Sequence, residues 1–312
     1  LSNQSSVRLE SFLFTHESFK QAKARLKPDG ILLLYNFYRS PYVVERIART
    51  LEGIYGHRPV IVNEKNSNLT IIAIADTLKS DDGPVIADDG PIPTDDWPFL
   101  YLRGKTVPSL YIYLMFGIWF VSLFFVLRAS PRNSWRKGQW PFFFMGAAFL
   151  LLETKSIVQF SILFGATWLV NSMVFAGVLL AVLGANAVVY YMKPKKLWPW
   201  YVVLAGALFL GWLIPISDLV SLESDLLRYG AAVGLLFSPI FLANLIFSQT
   251  FADTDAADHS FGWNILGMML GGTIEYSSML LGYQNLAIVV ALFYGAAFLT
   301  TLRALKSDSA AI

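Results

Sequence analysis

From about residue 108 onward the chain is a series of long apolar runs with few charged residues between them. A helix needs roughly 20 predominantly apolar residues to cross the ~30 Å hydrocarbon core of a bilayer, and each run approaches that length. The sequence therefore predicts about seven transmembrane helices. They are expected at Pro108 to Leu127, Trp140 to Phe164, Trp168 to Met192, Trp198 to Ile216, Tyr229 to Phe247, Phe261 to Leu281 and Leu286 to Leu302.

Composition supports a lipid environment and narrows the possible partners. Hydrophobic residues make up 55% of the chain and charged residues only 15%, so globular folding in water cannot hide the apolar surface. The net charge of +2 and the lack of a Lys/Arg-rich run argue against a nucleic-acid partner. The chain has no cysteine and only three histidines, which are scattered, so the sequence predicts no metal centre.

Residues 1 to 79 predict part of an α/β domain. The pattern is helix, strand, helix, strand, strand. The first helix is expected at His16 to Leu26 and the second from Pro41 until Gly56 ends it; the strands are expected at Ile31 to Tyr35, Pro59 to Val62 and Leu69 to Ile74. Thr15 is placed as the N-cap of the first helix, and the uninterrupted apolar run Ile31 to Tyr35 predicts a strand buried on both faces. One or two helices cannot cover both faces of such a sheet, so this piece is expected to be incomplete.

Residues 80 to 107 differ in composition and predict an acidic, Pro/Gly-rich linker. Paired aspartates stand at positions 81/82, 88/89 and 95/96. The simplest interpretation is a solvated linker, and the alternative is attraction of Ca²⁺ or a polyamine. The membrane region is expected to run from residue 108 to 303, with a tail at 304 to 312.

Two stretches of the soluble part carry a resemblance to a known family. Phe14 to Phe19, followed by Leu26 to Leu33, resembles the late part of a class I S-adenosylmethionine-dependent fold, closest to the spermidine/spermine synthase-like branch. In that branch a Leu-Lys-Pro-Gly/Asp-Gly turn leads into the fifth strand. Thr94 to Tyr101 beside a multi-helix region looks like the bacterial membrane-embedded spermidine synthase-like proteins, and Asn264 to Gly267 and Gly271 to Tyr276 look like their closing helices.

The resemblance implies a polytopic α-helical membrane protein preceded by a partial Rossmann-like, methyltransferase-type domain. It further implies an intact parent that uses S-adenosylmethionine or decarboxylated S-adenosylmethionine, as an aminopropyltransferase or methyltransferase-like enzyme of the bacterial inner membrane. The family's glycine-rich loop, ribose-binding acid and catalytic aspartate correspond to sequence upstream of Leu1. The chain is therefore expected to be a C-terminal fragment, inactive alone, that works with its missing N-terminal part.

The distribution of positive charge conflicts with a cytoplasmic α/β piece. Basic residues crowd three segments, at 128 to 137, 193 to 196 and 303 to 306, which the positive-inside rule assigns to the cytoplasm. Seven spans would then put the α/β piece outside, although a domain that uses a cytosolic cofactor belongs inside. Either one segment does not cross the membrane or the rule fails here, and the sequence leaves this open.

Ionisable residues inside the predicted spans are candidate site residues, because each costs roughly 2.5 to 3.5 kcal/mol in hydrocarbon unless it is paired or hydrated. Glu153 and Lys155 face different sides of their helix, whereas Gln159 shares the face of Lys155. They indicate either a polar site or proton path, or a structural ion pair between helices. Glu275 could bind a cation such as a polyamine or accept structural hydrogen bonds, and the nearby Gly267 and Gly271 predict close helix packing.

The last candidates are Asp95, Asp96 and Trp97 at the junction with the membrane region. By resemblance, the two aspartates would help to close the cofactor domain against the membrane. The plain alternative is a turn followed by a tryptophan that anchors at the bilayer surface.

Three functions remain open at this level. The first is the membrane-bound enzyme that the resemblance implies. The second is a transporter or ligand-binding protein for a polyamine or another small cation, in which the α/β piece is regulatory. The third is a set of helices that only anchors the soluble domain.

Overall fold

The structure, a computed structural model, describes residues 12–38, 40–63, 69–78, 88–129, 139–165, 168–194, 196–214, 219, 224–254 and 257–309. The chain divides into two compact units, Leu1–Thr106 and Val107–Ile312. The first is a small α/β unit and the second is entirely helical in its described residues.

The α/β unit contains the elements that the sequence predicts, in the predicted order. They are α1 (His16–Arg25), β1 (Leu32–Phe37), α2 (Pro41–Tyr55), β2 (Val60–Asn63) and β3 (Leu69–Ile74). The cap is confirmed, because Thr15 Oγ1 accepts a hydrogen bond from the Ser18 amide at 3.2 Å. The Gly30 amide donates a hydrogen bond to the Lys27 carbonyl at 2.8 Å, which closes the turn before β1. Gly56 ends α2 with a φ of 77°.

The three strands form one sheet in the order β1-β3-β2. Both β1 and β2 pair with β3 in the antiparallel sense, so β1 and β2 run parallel to each other and α2 connects them. Helices α1 and α2 cover one face, where Phe19, Ile47 and Leu51 pack in one cluster with Ile72 and Ile74. This cluster is the core of the unit.

The opposite face of β1 is open, so the prediction of a strand buried on both faces is wrong for this structure. Leu33, Tyr35 and Phe37 are 52%, 73% and 66% exposed. Strand β1 also stands at the edge of the sheet, with β3 on one side only. The described sheet has three strands, so the structure shows a small α/β unit, and a full Rossmann-like domain stays a prediction.

The segment from Asp88 to Arg103 is not a solvated linker, although it contains no helix or strand. Trp97, Phe99 and Leu100 are all buried. The first aspartate pair of the acidic region, at positions 81 and 82, lies outside the described residues. The interpretation of this region as a linker therefore fails for its second half, which packs as part of the α/β unit.

The helical unit contains seven long helices and one short one in its described residues. They are α3 (Ser109–Ala129), α4 (Trp140–Phe164), α5 (Trp168–Met192), α6 (Trp198–Leu213), α7 (Asp225–Ala252), α8 (Ala257–Ile274), the short α9 (Ser278–Leu281) and α10 (Leu286–Ser309).

Five of these helices are long and apolar enough to cross a membrane, namely α3, α4, α5, α7 and α10. Of the other two predicted spans, α6 is an apolar helix of only 16 residues, about 24 Å long. Phe261 to Leu281 is not one continuous helix, because α8 ends at Ile274 and a 3₁₀ turn, Glu275–Ser277, separates it from α9. The structure therefore shows five candidate spans, and seven remains a prediction.

Helix α4 is the centre of the helical unit. Within its most apolar window 56% of the residues are buried, against none in the corresponding window of α3. It packs against α5, α7, α8 and α10, so every inward-facing polar group on α4 is surrounded by other helices.

Candidate functional site

The site begins with an unusually close approach of α4 and α8. A Cβ atom added to Gly267 would lie 1.9 Å from the Phe143 carbonyl oxygen, and one added to Gly271 would lie 2.4 Å from the Ala147 carbonyl oxygen. Asn264 Nδ2 donates to the Phe142 carbonyl at 3.1 Å across the same contact. The prediction that these two glycines serve helix packing is confirmed.

This contact fixes the depth at which Glu275 lies. The residue numbers of the contacting pairs increase along both helices, from Phe143 beside Gly267 to Leu150 beside Gly272. Helices α4 and α8 are therefore parallel. One further turn at the same register puts Glu275 at the level of residues 151–155, near the middle of α4. Glu275 as a whole residue is only 9% exposed.

The helix breaks at this same point. Glu275–Ser277 form a 3₁₀ turn, after which Ser278 begins the short α9. Ser278 is completely buried, and neither its hydroxyl nor that of Ser277 finds a hydrogen-bond partner among the described residues. Unsatisfied hydroxyls beside a buried carboxyl are a costly arrangement, since buried polar groups are normally paired.

Lys155 and Gln159 lie on α4 as the spacing predicts. Lys155 Nζ donates to Gln159 Oε1 at 2.8 Å, and the two residues are 4% and 7% exposed. They line a small cavity of about 10 Å³ together with Leu235 and Pro239 of α7. A cavity of this size holds about one water molecule. Because proline has no N–H, Pro239 leaves the Leu235 carbonyl without its helical donor.

Glu153 is placed differently from the other intramembrane candidates. It is partly exposed and does not line the Lys155 cavity. The structure therefore brings Lys155 and Gln159 together and places Glu153 away from their cavity. The register of α8 against α4 puts Glu275 at the same depth as Lys155. The separation agrees with the two-residue spacing of Glu153 and Lys155, which turns them to different sides of the helix.

The junction candidates belong to a hydrogen-bonded network at the start of α1. Thr15 Oγ1 donates to Asp95 Oδ1 at 2.7 Å, and the Asp95 amide donates to Glu17 Oε2 at 2.9 Å. Burial raises the pKa of Asp95 from 3.8 to about 6; the Thr15 hydrogen bond lowers it, and the neighbouring Glu17 charge adds to the rise. Asp96 is partly buried.

Trp97 is not an interfacial anchor. Its ring is 2% exposed and lies edge-on against Phe99 at 5.5 Å between centroids. A tryptophan that anchors in the headgroup layer keeps its polar edge in contact with that layer, which this burial does not allow.

One cluster in the α/β unit was not anticipated from the sequence. The Arg46 guanidinium, fully buried, donates to both carboxylate oxygens of Asp88 at 3.0 and 3.1 Å and to the carbonyls of Leu100, Leu102 and Arg103. Burial acts to raise the pKa of Asp88, but the hydrogen bonds and charges of Arg46 and Arg49 and the Gly90 amide lower it. The only sequence signal was an arginine beside the apolar stripe Val44, Ile47, Leu51.

The chemistry available at these sites is hydrogen bonding and charge pairing. Among the described residues no group of three His, Cys, Asp or Glu side chains could hold a metal ion. Comparison with models of protein families, with the sequences of curated proteins and with solved structures finds no match. The functional assignment therefore depends on the geometry.

Proposed function

We propose that this chain is the membrane-embedded part of a spermidine synthase-like enzyme, whose complete α/β domain binds S-adenosylmethionine or decarboxylated S-adenosylmethionine. In this proposal the intact protein is an aminopropyltransferase or methyltransferase-like enzyme of a bacterial inner membrane. The chain described here supplies the last strands of the cofactor domain and the helices that hold it at the bilayer.

The observation that carries the proposal is the open side of β1. All its residues except Asn36 are apolar or aromatic, yet the face with Leu33, Tyr35 and Phe37 is exposed and one strand edge is unpaired in the described sheet. An exposed apolar edge strand is a liability in water, and proteins normally cover or pair it. Further strands beside β1, with helices over the open face, would bury these side chains as in a larger α/β sheet.

Direct binding to the full-length protein tests the proposal. The protein purified in nanodiscs is titrated with S-adenosylmethionine and with its decarboxylated form, and heat is recorded by calorimetry. We expect binding of at least one of them, together with protection of the β1 amides from hydrogen exchange. The chain of 312 residues alone is the matched control and should bind neither. Absence of binding to the full-length protein contradicts the enzyme proposal.

A second candidate function is a transporter or binding protein for a small cation such as a polyamine. The specific observation in its favour is the break in the helix at Glu275, beside two buried serine hydroxyls. Broken helices near the middle of the bilayer form the substrate sites of many transporters, because the interrupted backbone and side chains offer polar groups there. A buried carboxylate suits a cationic ligand.

Uptake of labelled spermidine into proteoliposomes distinguishes the two functions. If the site transports a polyamine, Glu275→Gln should abolish uptake, while the control Asp258→Asn should not. Asp258 is an exposed carboxylate near the start of α8, the helix that leads into the Glu275 turn, so each variant replaces one carboxyl group with an amide. Uptake that Glu275→Gln leaves unchanged removes Glu275 from a transport role. Absence of uptake by the unmodified protein contradicts the transporter alternative.

The number of spans and their orientation complete the proposal. We propose seven crossings, with the α/β unit on the cytoplasmic side, and α6 is the weakest of the seven at 16 residues. The chain has no cysteine, so an introduced one is the only thiol. Lys196→Cys and Ser224→Cys flank α6 and are both at exposed positions. An impermeant maleimide should label them from opposite sides, and labelling from the same side shows that α6 does not cross.

A further inference from the structure

An open groove lies beside α1 in the α/β unit. Its volume is about 690 Å³, and its walls are α1, the turn that follows it and the C-terminal end of α2. The polar residues that line it are His16, Lys20, Lys23, Lys27, Tyr55 and Asp76. The groove is therefore lined by three lysines and a histidine against a single carboxylate.

The basic residues form a stripe along one face of α1. His16, Lys20, Lys23 and Lys27 follow one another at intervals of three or four residues, which places them on the same side of the helix and of the turn after it. A solvated helix face normally mixes charges of both signs, but no acidic residue of α1 lines this groove. The result is a local positive field over a concave surface.

One lysine of the stripe is held in place and two are available. Lys23 Nζ pairs with Asp76 at 2.9 Å, donates to the Ile54 carbonyl at 3.3 Å and lies 4.2 Å from the centre of the Tyr55 ring. Lys20 and Lys27 are exposed, and neither forms a salt bridge within the part of the chain that the structure describes. Two ammonium groups thus face the groove with no acidic partner recorded in the described residues.

The groove lies at the end of the sheet opposite to a cofactor site. Gly30 precedes β1, Tyr55 precedes the path into β2, and Asp76 follows β3, which runs the other way. All three mark the amino ends of the parallel strands β1 and β2. Ligands of α/β sheets bind at the carboxyl ends of the strands, so the groove is independent of the cofactor binding proposed above.

We infer that this groove binds a phosphate-bearing anion through Lys20 and Lys27, with Lys23 fixed between them. Ammonium groups recognise phosphate through charge-assisted hydrogen bonds, and each lysine offers three donors. The phosphate comes either from the headgroup of an anionic phospholipid or from a free phosphate compound. The two sources share the chemistry of recognition and differ in where the ligand is held.

Hydrogen exchange of residues 16–30 in the full chain tests the inference and separates the two sources. The chain is placed in nanodiscs of phosphatidylcholine alone, with and without inorganic pyrophosphate, and in nanodiscs that also contain phosphatidylglycerol. Protection of residues 16–30 by pyrophosphate in the first nanodiscs identifies a free phosphate ligand. Protection only in the presence of phosphatidylglycerol identifies a lipid headgroup. Absence of protection in both arms overturns the inference.

A matched pair of double variants links any protection to the groove. The double variant Lys20→Gln with Lys27→Gln should lower the affinity of the ligand that gives protection by about fivefold, as expected for two exposed charge contacts. Arg25→Gln with Lys105→Gln removes the same charge from exposed positions of the same unit that do not line the groove, and should have little effect. Equal weakening by both pairs would show a general charge effect and would overturn the groove as the site.

Discussion

The two units satisfy their buried polar side chains in different ways. In the α/β unit, Arg46 reaches Asp88 and the carbonyls of residues 100, 102 and 103, which are 42 to 57 positions away. In the helical unit, Ser156 and Asn244 donate to carbonyls four positions earlier in their own helices, although Asn264 donates to the Phe142 carbonyl of a neighbouring helix. A helix in lipid must satisfy its polar groups internally, whereas a loop in water can be organised around one buried cation.

The difference predicts different weak points. Loss of one polar side chain should damage the α/β unit, because that side chain holds a segment with no regular hydrogen bonding of its own. The helical unit should tolerate loss of a local hydrogen bond but not an added methyl group where two backbones touch. The predictions below test this contrast.

The largest effect is expected from Arg46→Met. The substitution leaves three carbonyls without the Arg46 donor and leaves Asp88 with only its contacts to Arg49 and the Gly90 amide. Removing one partner of a buried ion pair costs about 3 to 5 kcal/mol. Hydrogen exchange in the intact chain should then become faster in α2 and in residues 88–103, with the exchange of α4 and α8 unchanged. Exchange that is no faster in residues 88–103 would contradict the role of Arg46.

Arg49→Met is the control for this experiment. Arg49 also contacts Asp88, at 3.4 Å, but its side chain is 33% exposed. Its loss should cost about 1 kcal/mol or less, as for a partly exposed ion pair. A cost equal to that of Arg46→Met would mean that the charge near Asp88 matters more than the number of hydrogen bonds.

In the helical unit the largest effect is expected from Gly267→Ala. The added Cβ meets the Phe143 carbonyl, which is backbone and cannot rotate away, so α4 and α8 must separate. Overpacking of this kind costs about 1 to 3 kcal/mol. Thermal unfolding in one detergent should show the loss, and Gly206→Ala on α6, where no atom lies within 4 Å of the new Cβ, should show none. Equal effects would contradict the proposed backbone contact.

Asp95→Asn should change how the stability of the α/β unit depends on pH. The folded-state pKa of Asp95 is raised to about 6 from 3.8, so the folded unit holds a proton that the unfolded chain releases. This stabilisation is present below about pH 3.8 and is lost as the pH rises through 6, by an amount of about 3 kcal/mol. The variant should lose this part of the pH dependence and be more stable than the wild type at pH 7.5.

The measurement is thermal unfolding of wild type and variant at pH 5 and pH 7.5. Comparing the two proteins at each pH isolates the effect of the substitution. A protonated Asp95 can donate to Thr15 Oγ1, which frees the Thr15 hydroxyl for the Phe12 carbonyl 3.1 Å away, and an asparagine amide can donate in the same way. A stability difference that does not vary with pH would contradict the raised pKa.

The same contrast explains what the sequence could predict. The helices and strands of the α/β unit and the Thr15 cap follow from residues within a few positions of one another, and all were predicted. The contact of Lys155 with Gln159 and the packing of Gly267 against α4 also follow from helical spacing. Each of these features depends on residues that are close together in the sequence, so the sequence alone indicates it.

Long-range features were missed for the complementary reason. Nothing near Arg46 in the sequence indicates Asp88 as its partner, and paired aspartates in a Pro/Gly-rich stretch look solvated until tertiary contacts bury them. The break at Glu275 was also missed, because Phe261 to Leu281 is predominantly apolar and contains no proline. The exposure of β1 could not be predicted for a different reason. An apolar run indicates side chains that favour burial, but it does not show whether other elements of the fold cover them.

The smallest effect is expected from Gln159→Leu. This variant tests most directly whether a hydrogen bond within one helix stabilises a buried polar side chain. It removes the acceptor 2.8 Å from Lys155 Nζ and should cost about 1 to 2 kcal/mol, as for a hydrogen bond to a charged group. In a Lys155→Met background the same change should cost about 1 kcal/mol less, because no ammonium then needs the amide. Thermal unfolding of the four proteins gives this coupling. A coupling near zero would mean that the Lys155–Gln159 pair is not a stabilising contact. The contrast in hydrogen bonding between the two units would then depend only on the Arg46 cluster of the α/β unit.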